Sequence, residues 1–283
     1  MYKFHKIDWP HCLSHNIFEL LDKGFPKRWK ESNTIEFFWG LGQDNPKSIA
    51  RASKKQHEYW IIDVGYITED IKRYPIPKVL DRDKTYFRFS QNGLHNDLIN
   101  VINDETRFNN LVESDIGYAK TVNEFKEKPI NEDGYILLAP SSPTVCKFLY
   151  GVDQDRWINI AINEIKKYTD REIRFRNKPR PNNEWWNTDI KDELKDAYCL
   201  VTNMSLSTID AVSLGVPIIC DDRNICSTLG TSDFSSINNL NPIDKDQLKK
   251  LFIKMSNCQF TMREMKNGTA YKVLKKSYNN GNG

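Results

Sequence analysis

Apolar and polar positions along the first third of the chain alternate between strand-like runs and helical patterns. "TIEFFWGLG" (34–42) has the look of an aromatic strand ending in glycines, and "NPKSIARASKKQ" (45–56) has helical spacing with Pro46 in the tolerated first turn. "EYWIIDVGYI" (58–67) is nearly continuously apolar, as a strand buried on both faces must be, so a parallel strand is expected there. "TYFRFSQN" (85–92) alternates aromatic with polar residues and predicts another strand. The more polar stretch 108–129 reads as helix and linker. "EKPINEDG" (127–134) then gathers charge, proline and glycine into a candidate domain boundary.

A second set of elements follows. "YILLAP" (135–140) is an apolar strand, "RWINIAINEIKKYTD" (156–170) a helix, and "REIRFRNKP" (171–179) a strand that ends in cations. After a Trp-rich loop and the short helix "DIKDELKD" (189–196) comes "AYCLVTNMSLSTIDAVSLGVPIICDD" (197–222), which reads strand, loop, helix, strand. The alternation predicts α/β architecture with parallel, doubly wound sheets. The last stretch, from Phe260 onward, reads as a basic helix with a glycine-rich tail.

Composition narrows the classes of function. The 283 residues, 39% of them hydrophobic and 12% aromatic, suffice to bury a core, in one large domain or two ordinary ones. A formal charge of +3 permits a nucleic-acid partner but falls far short of a histone-like binder. Six scattered cysteines form no CxxC pair, the start "MYKFHKIDWPH" has no apolar signal-like run, and no segment reaches the length of a membrane span. A monomeric cytoplasmic protein without a membrane partner is therefore expected. The chain carries no GxGxxG, GxxxxGK[ST] or GxSxG motif, which counts against a dehydrogenase, a P-loop NTPase and an α/β-hydrolase.

Ligands of open α/β sheets bind beyond the carboxyl ends of the strands. That places Ser205, Ser207 and Thr208 where a strand gives way to a helix, able either to cap the helix or to hold a phosphate. Arg174, Arg176 and Lys178 (with Arg180 just beyond) end the preceding strand and read either as a diphosphate clamp or as a solvated basic edge. By period two, Arg174 and Arg176 point the same way. Ser141 and Ser142 form a second serine turn at a strand end. In the first half, Asp63 closes an apolar strand, an uncomfortable place for a carboxylate unless it is functional or hydrogen-bonded. Tyr66, Arg88, Asn92 and His95 surround it in sequence, and Asp63 or His95 would suit a general base. Asp81-Arg82-Asp83 and Asp153-Gln154-Asp155 have DxD spacing but follow no apolar strand and read as loop charge; Asp221-Asp222 reads as a turn. His11 and His15 lack the second pair a zinc site needs, so no metal site is expected.

Together these residues resemble the glycosyltransferases of the two-Rossmann GT-B fold. The likeness is carried over about residues 134–240 by "EIRFRNKP", "AYCLVTNMSLSTIDAVSLGVPII" and the later "SDF", and in the first half by "FFWGLG", "WIIDVGYI" and "YFRFSQNGLHND". Within that fold the chain looks like the DNA glucosyltransferases of T-even-like phages. The resemblance implies two Rossmann-like domains with a cleft between them: an acceptor-binding domain (1–132), a nucleotide-sugar-binding domain (133–262), and a C-terminal helix and tail (263–283). It further implies inverting transfer of glucose from UDP-glucose onto glucosylated hydroxymethylcytosine of double-stranded DNA, in the host cytoplasm if phage-encoded. Asp63 would be the first candidate for the base and His95 the second, with Tyr66, Arg88 and Asn92 on the acceptor. Arg174, Arg176, Lys178 and the two serine-rich turns would hold the diphosphate. Asp210 matches the position of an acidic residue that holds the ribose, although many members carry Glu there. No tightly bound cofactor is implied, and Mg²⁺ would assist product release without being required. Lys27, Arg28 and Lys30 around Trp29 form the best basic-aromatic patch for DNA phosphates. The rivals are a surface-polysaccharide glycosyltransferase of the same fold, a sugar-nucleotide epimerase and a non-catalytic nucleotide or nucleic-acid binder.

Overall fold

The computed structural model describes residues 2–5, 13–26, 34–68, 81, 83–95, 101–181 and 183–279. Among them are nine strands, in chain order β1 (Tyr2–His5), β2 (Ile35–Trp39), β3 (Glu58–Val64), β4 (Tyr86–Gln91), β5 (Tyr135–Leu138), β6 (Ile173–Phe175), β7 (Ala197–Val201), β8 (Ile218–Ile219) and β9 (Gln259–Thr261). They form two α/β sheets in two compact units, residues 1–120 with 252–283, and residues 121–251. The architecture is thus the expected pair of Rossmann-like units, but the divisions anticipated at 132/133 and 262/263 lie elsewhere. The reason is β9, which hydrogen-bonds to β4 and carries the C-terminal segment back into the first unit.

In the first unit the order is β1-β2-β3-β4-β9. β1, β2 and β3 are parallel, whereas β4 and β9 are antiparallel additions, a departure from the all-parallel expectation. β4 is nonetheless covered on both faces, with Phe87 and Phe89 on one side and the buried Arg88 and Ser90 on the other. Phe87 and Phe89 pack with Trp60 and Phe260, and Ile17, Phe18 and Leu21 of the helix Leu13–Gly24 cover the same core. Burying one such side chain stabilises by about 1.5–3 kcal/mol.

The C-terminal segment is a strand and two helices, Met262–Lys266 and Thr269–Asn279, where a single helix was expected. Thr261 and Glu264 close a capping box at the first of these helices. Arg107 clamps the segment, donating to the Ser256 and Gln259 carbonyls at 2.9 and 2.7 Å and to both oxygens of Glu264.

The second unit has the all-parallel order β6-β5-β7-β8. β5 and β7 are buried along their whole length, which is why "YILL" and "AYCLV" read as unbroken apolar runs. Gly134 is required at the entry to β5, since a Cβ there would lie 2.5 Å from the Tyr198 amide nitrogen on β7. The chain steps from β5 out to β6 and then returns to β7 on the other side, so the order reverses between β5 and β7, where α/β sheets place ligands. Among the described residues, no helix is long and apolar enough to cross a membrane.

Candidate functional site

Each unit carries its own cluster at the carboxyl ends of parallel strands. In the first unit Asp63 stands opposite Arg88 in the β3–β4 register. Its Oδ2 accepts from Arg88 Nη2 at 3.2 Å, and its Oδ1 accepts from the Val64 amide at 2.8 Å. Arg88 is buried and also donates to the Val64 carbonyl at 2.7 Å, so the guanidinium is held on both sides. The Asp63 side chain keeps 36% exposure and remains reachable from solvent. It lies beside the turn after β2: Gly40 has φ +52°, and a Cβ there would sit 3.6 Å from Asp63 Oδ2. Asn45 fixes that turn, donating to the Trp39 carbonyl at 2.8 Å.

Tyr66 lies between the other two expected residues. Its ring is 5.5 Å from the Arg88 guanidinium carbon and 6.0 Å from the His95 ring, which stacks against it. The fold therefore brings Asp63, Arg88, Tyr66 and His95 into one cluster, with His95 buried and Asp63 at its surface. Asn92 is used differently. It adopts φ +53° in the turn after β4, and its side-chain carbonyl accepts from the Tyr59 amide at 3.1 Å, near the opposite end of β3 from Asp63. Lys27, Arg28 and Lys30 lie outside the described residues, as do the side chains of His11 and His15.

In the second unit the expected diphosphate clamp has other partners. Arg176 is buried and spends its fork on Thr188 Oγ1, the Thr188 carbonyl (3.0 Å each) and Glu193. Arg174 pairs with Glu172 at 2.8 Å and lies over the Tyr135 ring at 3.8 Å. Tyr135 itself donates to the Glu193 carbonyl. Arg174 thus braces the exposed β6 edge, and Arg176 the segment around Thr188 and Glu193. Lys178 is exposed, and its carbonyl accepts from Asn183 at 3.0 Å.

The hydroxyl-rich loop after β7 closes largely upon itself. Ser207 bonds Ser205 Oγ with its hydroxyl at 3.0 Å, and Thr208 Oγ1 lies 2.9 Å from Asn224 Oδ1 and 3.1 Å from the Ser205 carbonyl. Leu206 occupies the N-cap of the seven-residue helix Ser207–Ser213 without a side-chain cap bond. A cap by Ser207 or Thr208 is therefore not what those hydroxyls form. Ser141 is buried, with its amide on Asn203 Oδ1 at 2.8 Å and its Oγ accepting from the Met204 amide at 3.1 Å. Ser142 caps the helix Pro143–Tyr150 by position. Asp210 is half-buried in its helix, near enough to Cys226 to add to the burial that pushes that thiol up to about 12.

A cavity of about 480 Å³ opens at the carboxyl ends of β7 and β8, a size typical of small-molecule sites. Trp157, Ile160 and Phe234 supply apolar surface, and Thr202, Asn203 and Ser232 supply polar groups. Asp221, Asp222 and Arg223 form the charged part of the wall, beside Tyr150. Asp221 Oδ1 accepts from the Arg223 backbone amide at 2.9 Å and Nε at 2.8 Å; its Oδ2 accepts from Arg223 Nη2 at 2.8 Å and the Tyr150 hydroxyl at 2.7 Å. The guanidinium beside it is the chief reason its carboxyl is held down to about 2. Buried Asn224 staples this wall to the loop after β7, donating to the Asn203 and Ser205 carbonyls at 3.0 and 3.1 Å. Asp221-Asp222 form the expected turn, closed by the Asn224 amide on the Asp221 carbonyl at 2.8 Å, and that turn is also cavity wall, together with Tyr150, Trp157 and Arg223, which the sequence does not single out. The signal that finds Arg223 is the one used for Ser205, polar or charged residues directly beyond an apolar strand, here "PIICDDR"; Tyr150 and Trp157 carry no such signal.

Of the DxD-spaced pairs, Asp153 stands at the N-cap of the helix Gln154–Ile165, and Asp81 Oδ1 accepts from the Asp83 amide at 2.8 Å. Among the described residues, no group of three or more His, Cys, Asp or Glu side chains could hold a metal ion.

No protein-family model matches the chain, and no curated protein matches it. Among solved structures it is similar to KpsC of Thermosulfurimonas dismutans, a beta Kdo 2,7 transferase, at 12% identity over 96% of this chain and 98% of that chain, with a TM-score of 0.49.

Proposed function

We propose that the protein is a glycosyltransferase that takes a nucleotide-sugar donor in its second unit and activates an acceptor hydroxyl with Asp63 in its first. The observation that carries the reading is the 480 Å³ cavity, with its aromatic and charged walls, at the carboxyl ends of β7 and β8. A wall with Trp157 and Phe234 suits a planar base, while the polar rim suits a sugar and phosphates. Asp63 is preferred to His95 as the base because its carboxylate is partly exposed while His95 is buried. Arg88 would fix the carboxylate so that one oxygen faces the incoming hydroxyl, and the proton would pass to Asp63 as the oxygen attacks the anomeric carbon and the nucleotide leaves.

The finer reading follows from the sequence resemblance: UDP-glucose as donor and glucosylated hydroxymethylcytosine in double-stranded DNA as acceptor, by inverting transfer. In it the Ser141–Ser142 and Ser205–Thr208 turns and Asp210 remain donor-side residues, with Arg174, Arg176 and Lys178 acting from behind the site. The test is to incubate the protein with radiolabelled UDP-glucose and unmodified, hydroxymethylated or glucosylated DNA. Label on the glucosylated DNA alone supports the full reading. Label on none of them, with donor turnover on polysaccharide acceptors, replaces DNA by a glycan, and binding of UDP without turnover on any acceptor reduces the protein to a binder.

A further inference from the structure

We infer that Arg223 is the residue of the second-unit cavity that reads phosphate, exchanging its fork between Asp221 and the phosphates of a nucleoside diphosphate. The inference rests on the donor reading of that cavity and assigns a residue that the expected clamp did not include. The first support is by elimination among cations. Arg176 is buried against Thr188 and Glu193, none of Arg174, Arg176 and Lys178 lines the cavity, and among the described residues the one cation that does is Arg223.

The second support is the geometry of its present partner. Arg223 is bound to Asp221 through Nε and Nη2, the two-pronged arrangement that fits a phosphate equally well. The arginine side chain is 55% exposed while Asp221 is 17% exposed, so Arg223 is the member of the pair able to move. Its departure would not strand the carboxylate, because the Tyr150 hydroxyl and the Arg223 backbone amide would stay on it. Removing one member of a sequestered pair is costly mainly when the other is left without donors, and here two donors remain. The Tyr150 ring, 5.4 Å from the guanidinium carbon, gives the planar group a surface to slide over.

The third support is the charge balance of the wall. Asp221 and Asp222 both line the cavity and repel a phosphate, so a diphosphate gains there only where Arg223 engages it. The cavity should therefore distinguish phosphorylated from unphosphorylated nucleosides through this one side chain.

Calorimetric titration with uridine, UDP and inorganic pyrophosphate tests the proposal on the full chain. The wild type should bind UDP at least tenfold more tightly than uridine. Arg223→Ala should lose that tenfold for UDP, and bind pyrophosphate at least tenfold more weakly, with uridine affinity unchanged. Arg223→Lys should fall between, because it keeps the charge without the fork. Asp221→Asn should tighten pyrophosphate binding severalfold by releasing the guanidinium, which a purely structural Asp221–Arg223 pair would not do. Wild-type affinity of Arg223→Ala for both UDP and pyrophosphate would overturn the assignment and leave the donor reading intact. Pyrophosphate binding that depends on Arg223, with UDP no tighter than pyrophosphate and uridine silent, would uphold Arg223 and remove the nucleotide. Binding of none of the three by the wild type would overturn both.

Discussion

Asp63 and Arg88 face each other across the β3–β4 pair, and their side chains meet at 3.2 Å with the guanidinium buried and the carboxylate at the surface. The arginine is thus a fixed partner and the carboxylate the accessible one. Asp63→Asn keeps an acceptor for Arg88 and removes the basic oxygen. Transfer should fall by roughly 10²–10⁴-fold, the usual worth of a general base, with UDP affinity and melting temperature little changed. Loss of UDP binding instead would reverse the roles of the two units.

Arg176 makes a structural prediction where the sequence suggested a ligand contact. Arg176→Ala leaves Glu193 and the Thr188 carbonyl without their donor. Urea unfolding should show a loss of about 3 kcal/mol. Arg176→Lys should recover little of it, because an ammonium cannot span both partners. A variant with wild-type stability and weakened UDP binding would restore Arg176 to the donor site.

The C-terminal segment should matter to the Asp63 cluster through Gln259. That side chain is wholly buried and accepts from the Ile67 amide at 2.9 Å while donating to the Ile67 carbonyl, next to Tyr66. Gln259→Ala leaves both backbone groups unsatisfied, at about 1–3 kcal/mol each, and should increase hydrogen exchange at Ile67 before it affects the second unit. Unchanged exchange there would show that the turn holds without Gln259.

A pH dependence is expected from Glu36. The buried carboxylate on β2 accepts from His5 Nε2 at 2.5 Å and His57 Nδ1 at 2.7 Å. Burial holds the His5 imidazole below its ordinary value of 6.5, so on acidification the unfolded chain binds that proton first. Burial alone would raise Glu36, but the two histidine hydrogen bonds and Lys3 outweigh it and hold Glu36 below 4.5. Both shifts make stability fall as pH falls. The urea midpoint should decline as pH drops below about 6.5 and decline again below about 4.5. Glu36→Gln should abolish the second decline.

The cysteines supply a simple check on packing. Among the described residues Cys146, Cys199, Cys220, Cys226 and Cys258 form no disulfide and are buried, and burial pushes the Cys199 and Cys226 thiols up to about 12. In a Cys12→Ser chain, a thiol reagent at neutral pH should label none of them until denaturant is added. Rapid native labelling of Cys199 would mean that β7 is not an interior strand of its sheet.

Much of the fold was legible because its signals are local. The apolar runs of β3, β5 and β7 announce strands with both faces covered, and Pro46 marks a helix start; these depend on neighbours in sequence. β9 was not legible, since three residues, "QFT", carry no periodicity and become a strand only against β4. For the same reason the domain division was misplaced: the return of residues 252–283 to the first unit is a long-range pairing.

The sequence by itself determined the α/β class, the alternation of elements and the rule that chemistry gathers beyond strand ends, and it brought forward Asp63, Tyr66, Arg88 and His95, which the fold joins. Only the tertiary structure decided how each polar side chain is spent. Arg176 and Thr208 have the residue types of a phosphate site, yet Glu193, Thr188 and Asn224 occupy them. Asp221-Asp222 read as a turn and form one, but only packing makes that turn, with Arg223, the charged wall of a cavity shared with Trp157, sixty-odd residues away in the chain. A residue's type states what it can bind. Which partner it meets is settled by packing between distant segments, because a desolvated donor or acceptor must take a partner that the fold brings within reach.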